Sequence, residues 1–410
     1  MTGKDKLTFA TFFPECLDIH LTKDVGMIPY ILSRDFSYDS YMICYENGNY
    51  PRLETDVLGL NMLFMNYNVP FLGRVAEFFG SKSSISKSIR LLSILFDAFV
   101  FLIKCGRKID VLQLYHLKTE SILVGLIYRI INRRGTLYLK LDLDIRSVAL
   151  CRDRPSRLRN LLWTMFSLRY LLFNLAFFNI ISVETKEVYT ILRNFYPFFR
   201  SCRDRIYYIP NGINMQRVPH PLMPFIAKEN KILHVGRMGI RAKGSELVLD
   251  AFLNICEEFP EWELVLIGSM EDTFSEFFEK FKDKNAIIAG RISYLGILDT
   301  VSLYEHYNKA KILMAPSRWE SFGLVVVEAG AFGDVILGSD IPSFRELTND
   351  GKFSYLCPVD SIECLTEKLR YMLSHREDLE IKSRQISKFM MDNFDWLPIC
   401  RTLNDLISFR

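Results

Sequence analysis

Short apolar runs recur along the chain, each followed by a stretch whose apolar positions fall three and four apart. In the first half the runs cover residues 7–13, 40–45, 59–64, 109–115, 136–141, 179–183 and 205–209. Their length and their β-branched and aromatic content predict strands. The stretches between them, notably 87–103, 120–132, 157–175 and 186–195, predict helices. Strand and helix in alternation is the pattern of a parallel α/β sheet.

The rhythm breaks at Ile209-Pro-Asn-Gly-Ile-Asn214 and in the proline-rich span 219–224, then restarts. Runs at 231–235, 263–267, 286–288, 311–314 and 335–337 predict strands. Helices are expected over 245–259, 273–281, 302–310 and 361–373, with a helical C-terminal region around 381–393 and 397–409. A chain of 410 residues exceeds one ordinary core. Two doubly wound, Rossmann-like domains are therefore expected, 1–212 and 213–390, with 391–410 as a helix crossing back to the first. Open α/β sheets bind ligands beyond the carboxyl ends of their strands, so both domains are expected to face a shared cleft.

Composition changes this picture in three ways. Hydrophobic residues make up 49% and charged residues 24%, which excludes a disordered chain. The nine cysteines are scattered, with no C-x-x-C pair. That pattern predicts reduced thiols in a cytosolic protein, without a zinc site or a disulfide frame. The charge is uneven: residues 1–215 hold 28 Lys and Arg against 19 Asp and Glu, and the remainder 23 against 29. Arg129 to Arg169 alone holds ten basic and three acidic residues. The apolar run 91–103 is flanked by Lys87, Arg90, Lys104, Arg107 and Lys108. Such segments suit an anionic membrane surface, or an ordinary solvated face. No stretch reaches the eighteen or so apolar residues that span a bilayer, and no signal peptide is seen. A cytoplasmic protein is expected, peripheral on the inner membrane face at most, with no nucleic-acid partner.

Candidate chemistry gathers at predicted strand ends. Glu320 and Glu328 stand eight positions apart around Gly323, Glu320 in a loop and Glu328 inside the next helix. Between them the amides of Ser321, Phe322, Gly323, Leu324 and Val325 form a helix start, which favours an anion. Gly236-Arg237 follows the strand 231–235, and Lys243-Gly244 opens the next helix. Two cations there would neutralise a diphosphate; Arg241 competes with Lys243. In the first half, Lys23 to Pro29 follows the first strand, with Gly26 and Asp24, the latter open to reading as a helix cap. His116 ends the fourth predicted strand and Glu184 the sixth. The run Leu137-Tyr-Leu-Lys140-Leu-Asp142-Leu-Asp144 places Lys140 and Asp142 on one side of a strand. Asp142-Leu-Asp144 has a metal-motif spacing but sits in a strand pattern, so no metal is expected.

Taken in order, Ile209-Pro-Asn-Gly-Ile-Asn214, Val235-Gly-Arg237, Lys243-Gly244, Ala315-Pro-Ser317, Glu320-x(7)-Glu328 and Phe394-Asp-Trp396 resemble the retaining GT-B glycosyltransferases of family 4. The resemblance is specific over about 205–400 and weak before it. It implies a GT-B fold and a nucleotide-sugar substrate, UDP- or GDP-linked, with no cofactor. It implies that Arg237 and Lys243 hold the donor diphosphate, that Glu320 contacts the sugar and that Glu328 binds ribose. Backbone at Arg291 and Ile292 would read the base, and Gly26 and Gly236 would admit the donor closely. The family often has a histidine after its fifth strand; here Asp142 or Lys140 stands there, and Asp142 is favoured. Asp24, His116, Lys140 and Glu184 would line the acceptor side. The resemblance implies front-face transfer of a hexose to a saccharide, lipid-linked in surface polysaccharide or lipopolysaccharide synthesis. A nucleotide-sugar epimerase on the same fold and a non-catalytic donor-binding subunit are the alternatives.

Overall fold

The structure, a computed structural model, describes residues 6–65, 84–146, 177–194 and 202–409. The helix expected over 157–175, and with it most of the basic stretch 129–169, lies outside these residues. The chain folds as two compact units. One comprises Met1–Pro210 and Trp396–Arg410, the other Asn211–Asp395.

The first unit is built on a seven-stranded parallel sheet in the order β3-β2-β1-β4-β5-β6-β7. The strands are β1 (Thr8–Phe12), β2 (Asp39–Cys44), β3 (Asn61–Phe64), β4 (Val111–Tyr115), β5 (Thr136–Leu141), β6 (Ile180–Val183) and β7 (Ile206–Tyr208). Helices α1 (Asp24–Asp35), α2 (Ser84–Cys105), α3 (Thr119–Ile131) and α4 (Lys186–Asn194) connect them. Because side chains alternate along a strand, the two faces collect different sets. One face presents Ala10, Phe12, Leu112, Leu114, Leu137, Leu139 and Leu141 to a core with residues of α2 and α3. The other holds Phe9, Val111, Tyr115 and Tyr138 against α1 and the last helix, α12 (Trp396–Ser408). This second face is partly polar. Thr11 Oγ1 donates to Gln113 Oε1, Gln113 Nε2 to the Tyr115 hydroxyl, and the Tyr138 hydroxyl meets Ser182 Oγ at 2.8 Å.

The second unit repeats the plan with six parallel strands in the order β10-β9-β8-β11-β12-β13. These are β8 (Lys231–Val235), β9 (Glu263–Ile267), β10 (Ile292–Tyr294), β11 (Ile312–Ala315), β12 (Val335–Ser339) and β13 (Tyr355–Cys357). Their helices are α5 (Ser245–Leu253), α6 (Asp272–Lys284), α7 (Thr300–Lys309), α8 (Leu324–Ala331), α9 (Pro342–Leu347), α10 (Ile362–Ser374) and α11 (Arg376–Asn393). Leu247, Val248 and Leu249 of α5 pack into the core on one face of the sheet, and Val326 and Val327 of α8 into the core on the other.

Three expectations are corrected. Residues 286–288 are not a strand: Ala286–Ala289 forms a helical turn, and the sheet's edge strand is β10. Four small and apolar residues carry no period that separates helix from strand, and the preceding α6 simply extends into the turn. Strand β13 and helix α9 lie where the sequence showed neither, both being too short to display a pattern. Cys357 and Cys364 form a disulfide between β13 and α10. The fold brings the end of a strand back beside the first turn of the next helix, which sequence spacing did not reveal. Among the described residues, no helix is long and apolar enough to cross a membrane.

Lys228 anchors the start of the second unit. It is buried, and its Nζ donates to Tyr307 O, to Phe332 O and, at 2.7 Å, to Asp334 Oδ1. Deleting one partner of such a pair leaves an uncompensated buried charge. Lys228→Met should therefore lower unfolding free energy in urea by ~3–5 kcal/mol. Lys228→Met with Asp334→Leu should recover most of that loss.

Candidate active site

The second sheet reverses its winding between β8 and β11, and the loops leaving these two strands meet. Gly244 adopts a left-handed φ of 62°, and a Cβ there would lie 2.5 Å from Pro316 O. Only glycine permits both the conformation and the contact. Across this junction Lys243 Nζ lies 2.6 Å from Glu320 Oε1, and Ser317 Oγ donates to the same oxygen at 2.8 Å. Both charged side chains remain partly accessible, at 21% and 13%. Arg237 stands exposed at the end of β8 with no side-chain partner among the described residues. The fold thus brings two of the expected cations to the same sheet edge as Glu320.

His234 on β8 supports this junction from beneath. Its Nδ1 lies 2.9 Å from Met314 O, and its Nε2 2.9 Å from Ser245 Oγ. A carbonyl only accepts, so Nδ1 carries the proton and Nε2 accepts from the serine hydroxyl. The ring is neutral, and burial pushes its pKa down to about 4. It ties β8 to β11 and to the first residue of α5, directly after Lys243-Gly244. Sequence reasoning missed it, although a histidine within an apolar strand was its only signal.

Gly323 is the N-cap of α8. The first amides of a helix have no partner within it. Among the described residues, no backbone bond leaves the N–H groups of Ser321, Phe322, Gly323, Leu324 or Val325. Glu328 lies one turn further on and accepts from the buried Tyr307 hydroxyl at 3.2 Å. The Gly236 amide is occupied by Ile267 O at 2.9 Å, so this position offers only its lack of a side chain.

Arg291 and Ile292 do not sit with these groups. They begin β10, at the amino end of the sheet, where Arg291 O accepts from Leu264. The Arg291 guanidinium turns inward to the carbonyls of Cys256, Phe259 and Trp262. The misassigned strand 286–288 had displaced the strand end by several residues. At the carboxyl end of β10 stand Tyr294, whose hydroxyl donates to Gly268 O at 3.1 Å, and Gly296, whose carbonyl accepts from Gly268.

In the first unit, Asp24, His116, Lys140, Asp142 and Glu184 gather at the carboxyl ends of β1, β4, β5 and β6. Lys140 is wholly buried, 3.3 Å from Glu184 Oε1 and 3.8 Å from Asp24 Oδ2. Burial alone would strip its proton, but Glu184 and Asp24 outweigh that and hold its pKa above the usual lysine value. Lys140 and Glu184 are therefore internal, and neither presents its side chain to solvent as an acceptor-lining residue would. Asp24 is not a cap: Lys23 is the N-cap of α1, and Asp24 is its first helical residue. Burial pushes the Asp24 pKa up, against the pull of Lys140. Asp142 is exposed just past β5, and His116 is held at φ 60° at the end of β4, its pKa lowered by burial. Gly26 is needed for a different reason than expected. A Cβ there would lie 2.3 Å from Leu21 O, so the absent side chain makes room for the chain's own backbone. Among the described residues no three His, Cys, Asp or Glu side chains form a metal-ligand group.

His234 makes stability depend on pH with a definite sign. Its folded pKa lies below the unfolded value of 6.5, so the unfolded chain takes up the proton first as pH falls. Its contribution is full above about pH 6.5 and is lost toward pH 4, by up to about 3 kcal/mol. Urea unfolding at several pH values should show this slope, and His234→Gln should remove that part of it.

Residues 223–388 match the family model of glycosyl transferases group 1. A phosphatidyl-myo-inositol mannosyltransferase of Mycolicibacterium smegmatis is 27% identical over 193 residues, 46% of this chain and 48% of that one. A lipopolysaccharide core biosynthesis mannosyltransferase of Rhizobium meliloti is 25% identical over 145 residues, 34% of this chain and 41% of that one. The chain thus spans about half, or less, of the length of these relatives. Solved structures match across 98% of the chain. Sucrose-phosphate synthase from Thermosynechococcus elongatus does so with a TM-score of 0.71 at 15% identity, covering 98% of that structure. HepE of Anabaena in complex with UDP-glucose does so with a TM-score of 0.69 at 15% identity, covering all of that structure's chain, 100%. The chain has the GT-B fold, and residues 223–388 of its second unit are similar to the glycosyl transferases group 1 family.

Proposed function

We propose that the chain is a retaining glycosyltransferase that moves a hexose from a nucleotide-sugar to a saccharide acceptor. The observation that carries this is the Lys243–Glu320 contact at the switch point of a domain similar to group 1, beside the open N-terminus of α8. Lys243 has two N–H donors left after Glu320, and Arg237 beside it is unpaired among the described residues. Together with the α8 amides they form a cradle for a diphosphate. Glu320 would accept from sugar hydroxyls, and Glu328 from ribose. The base would lie at Tyr294 to Gly296, the carboxyl end of β10.

In the reaction the acceptor hydroxyl oxygen bonds to the anomeric carbon as the bond to the diphosphate breaks, on the same face. The hydroxyl proton passes to a leaving phosphate oxygen. Arg237 and Lys243 stabilise the charge that grows on that group, and no step passes through a metal. The acceptor would be held by the first unit, with Asp24, His116 and Asp142 nearest to solvent. The relatives' names point to mannose as the first sugar to test, and a neighbour's bound UDP-glucose to UDP as the first nucleotide.

The acceptor we propose is lipid-linked, with the chain peripheral on an anionic membrane. The support is one face of α2. Leu92 (59%), Phe96 (46%), Phe99 (45%) and Ile103 (58%) are exposed at helical spacing. Lys104, Arg107 and Lys108 are exposed where that stripe ends. Apolar residues bordered by cations match the boundary of an anionic bilayer.

Thermal-shift and turnover measurements across UDP-, GDP- and ADP-hexoses should identify one donor. Arg237→Ala should then cut kcat/KM at least ~100-fold, and EDTA should not. Wild-type turnover by Arg237→Ala would sink the assignment, and an epimer formed without any acceptor would favour the epimerase. Separately, the protein should sediment with phosphatidylglycerol vesicles and not with phosphatidylcholine vesicles. Phe96→Ser with Phe99→Ser should weaken that binding several-fold, and equal binding by the variant would remove α2 from the reading.

A further inference from the structure

The loop after β11 carries a second arginine-centred contact that the donor reading does not use. Arg318 lies between Ser317 and Glu320, and its backbone N–H donates to Ala242 O at 2.7 Å. Its guanidinium reaches three acceptors on three segments. Nη1 donates to Arg241 O at 2.8 Å, Nη2 pairs with Glu246 Oε1 at 2.5 Å, and Nε pairs with Asp360 Oδ1 at 2.6 Å. Arg241 belongs to the loop that carries Lys243. Glu246 is in the first turn of α5, immediately beyond Gly244. Asp360 belongs to the loop between β13 and α10, at a left-handed φ of 64°.

A phosphate-binding role does not fit this geometry. The guanidinium is enclosed by two carboxylates and a carbonyl, which repel an anion and already occupy its donors. A purely stabilising role fits poorly as well. Its carboxylate partners are 38% and 51% exposed, and ion pairs at such positions add little to stability. What the contact does is geometric. One planar fork joins the backbone that ends in Lys243 to the backbone that ends in Glu320. Lysine, a point charge on a flexible stem, cannot satisfy three acceptors in one plane.

We propose that Arg318 is a positioning residue of the donor site, acting through Lys243. It fixes the loop of residues 241–244 against the loop of residues 316–320, so that the Lys243 ammonium stands where a nucleoside diphosphate needs it. This rests on the donor-site reading above. A shift of about 1 Å in such a group costs on the order of a hundredfold in rate, so a loop freed on one side loses most of its use.

The test is a double-mutant cycle on the full chain, with UDP, GDP and ADP as probes in titration calorimetry. Arg318→Met should weaken binding of the preferred nucleotide about tenfold while its thermal midpoint stays near wild type. Arg318→Lys should behave like Arg318→Met. Lys243→Met with Arg318→Met should bind no more weakly than Lys243→Met alone, because the role is exerted through that lysine. General loosening of the structure would instead add to the Lys243→Met loss. If Arg318→Met folds poorly, Asp360→Asn removes one arm of the fork and should give a smaller loss in the same direction. Unchanged binding by the foldable variant, or additive losses in the cycle, overturn the proposal. A wild-type chain that binds none of the three nucleotides overturns the donor-site reading, and the proposal falls with it.

Discussion

A parallel sheet wound outward from its middle must reverse direction once, and both units obey that constraint. In the second unit the reversal falls between β8 and β11. Helix α5 leaves β8 toward one face, and α8 follows β11 onto the other. Two helices that part in this way leave the loops before them side by side, with no helix to cover the gap. Lys243 and Glu320, 77 positions apart in sequence, meet there because the topology leaves them nowhere else to go. The first unit has the same order and the same reversal, between β1 and β4. Asp24 and His116 stand at the corresponding ends.

Each of these edges pairs a lysine with carboxylates. In the second unit a lysine and a glutamate neutralise each other in the open. In the first, a lysine without any exposure pairs with the buried Glu184 and with Asp24, which keeps partial exposure. The difference is one of accessibility. Both partners of the Lys243–Glu320 pair touch solvent. Lys140 does not, and removing its buried partner Glu184 would leave an uncompensated charge in the interior. The Lys140 cluster acts as a support for the polar face beneath α1, in line with the hydrogen-bonded file from Thr11 to Tyr115.

The sequence was most legible where periodicity was undiluted. Runs such as 136–141, 231–235 and 263–267 coincide with strands residue for residue. The edges of the second sheet were least legible, because β10 and β13 have three residues each and cannot display a period. The same ambiguity carries over to Arg291, which stands at the amino end of β10 and not beyond the carboxyl end of a strand. Charged residues were legible as types but not as environments. Lys140 and Asp142 alternate with apolar neighbours in the same way, yet one is entombed on the strand and the other lies just past its end. Arg318 and His234 left almost no trace, because each owes its importance to acceptors that are far away in sequence or belong to the backbone. The Cys357–Cys364 bond was hidden for the same reason.

The last helix, α12, belongs to the first unit's core, where Trp396, Ile399, Cys400 and Leu403 pack with residues of α1. Between Pro210 and Trp396 the chain builds an entire second unit. The consequence is temporal. During synthesis the first 210 residues emerge with one face of their sheet incompletely covered, and they wait for 185 further residues before the missing helix arrives. The second unit, continuous in sequence, can finish while the first is still unfinished. The first unit therefore completes its core only once the whole of the second has been made.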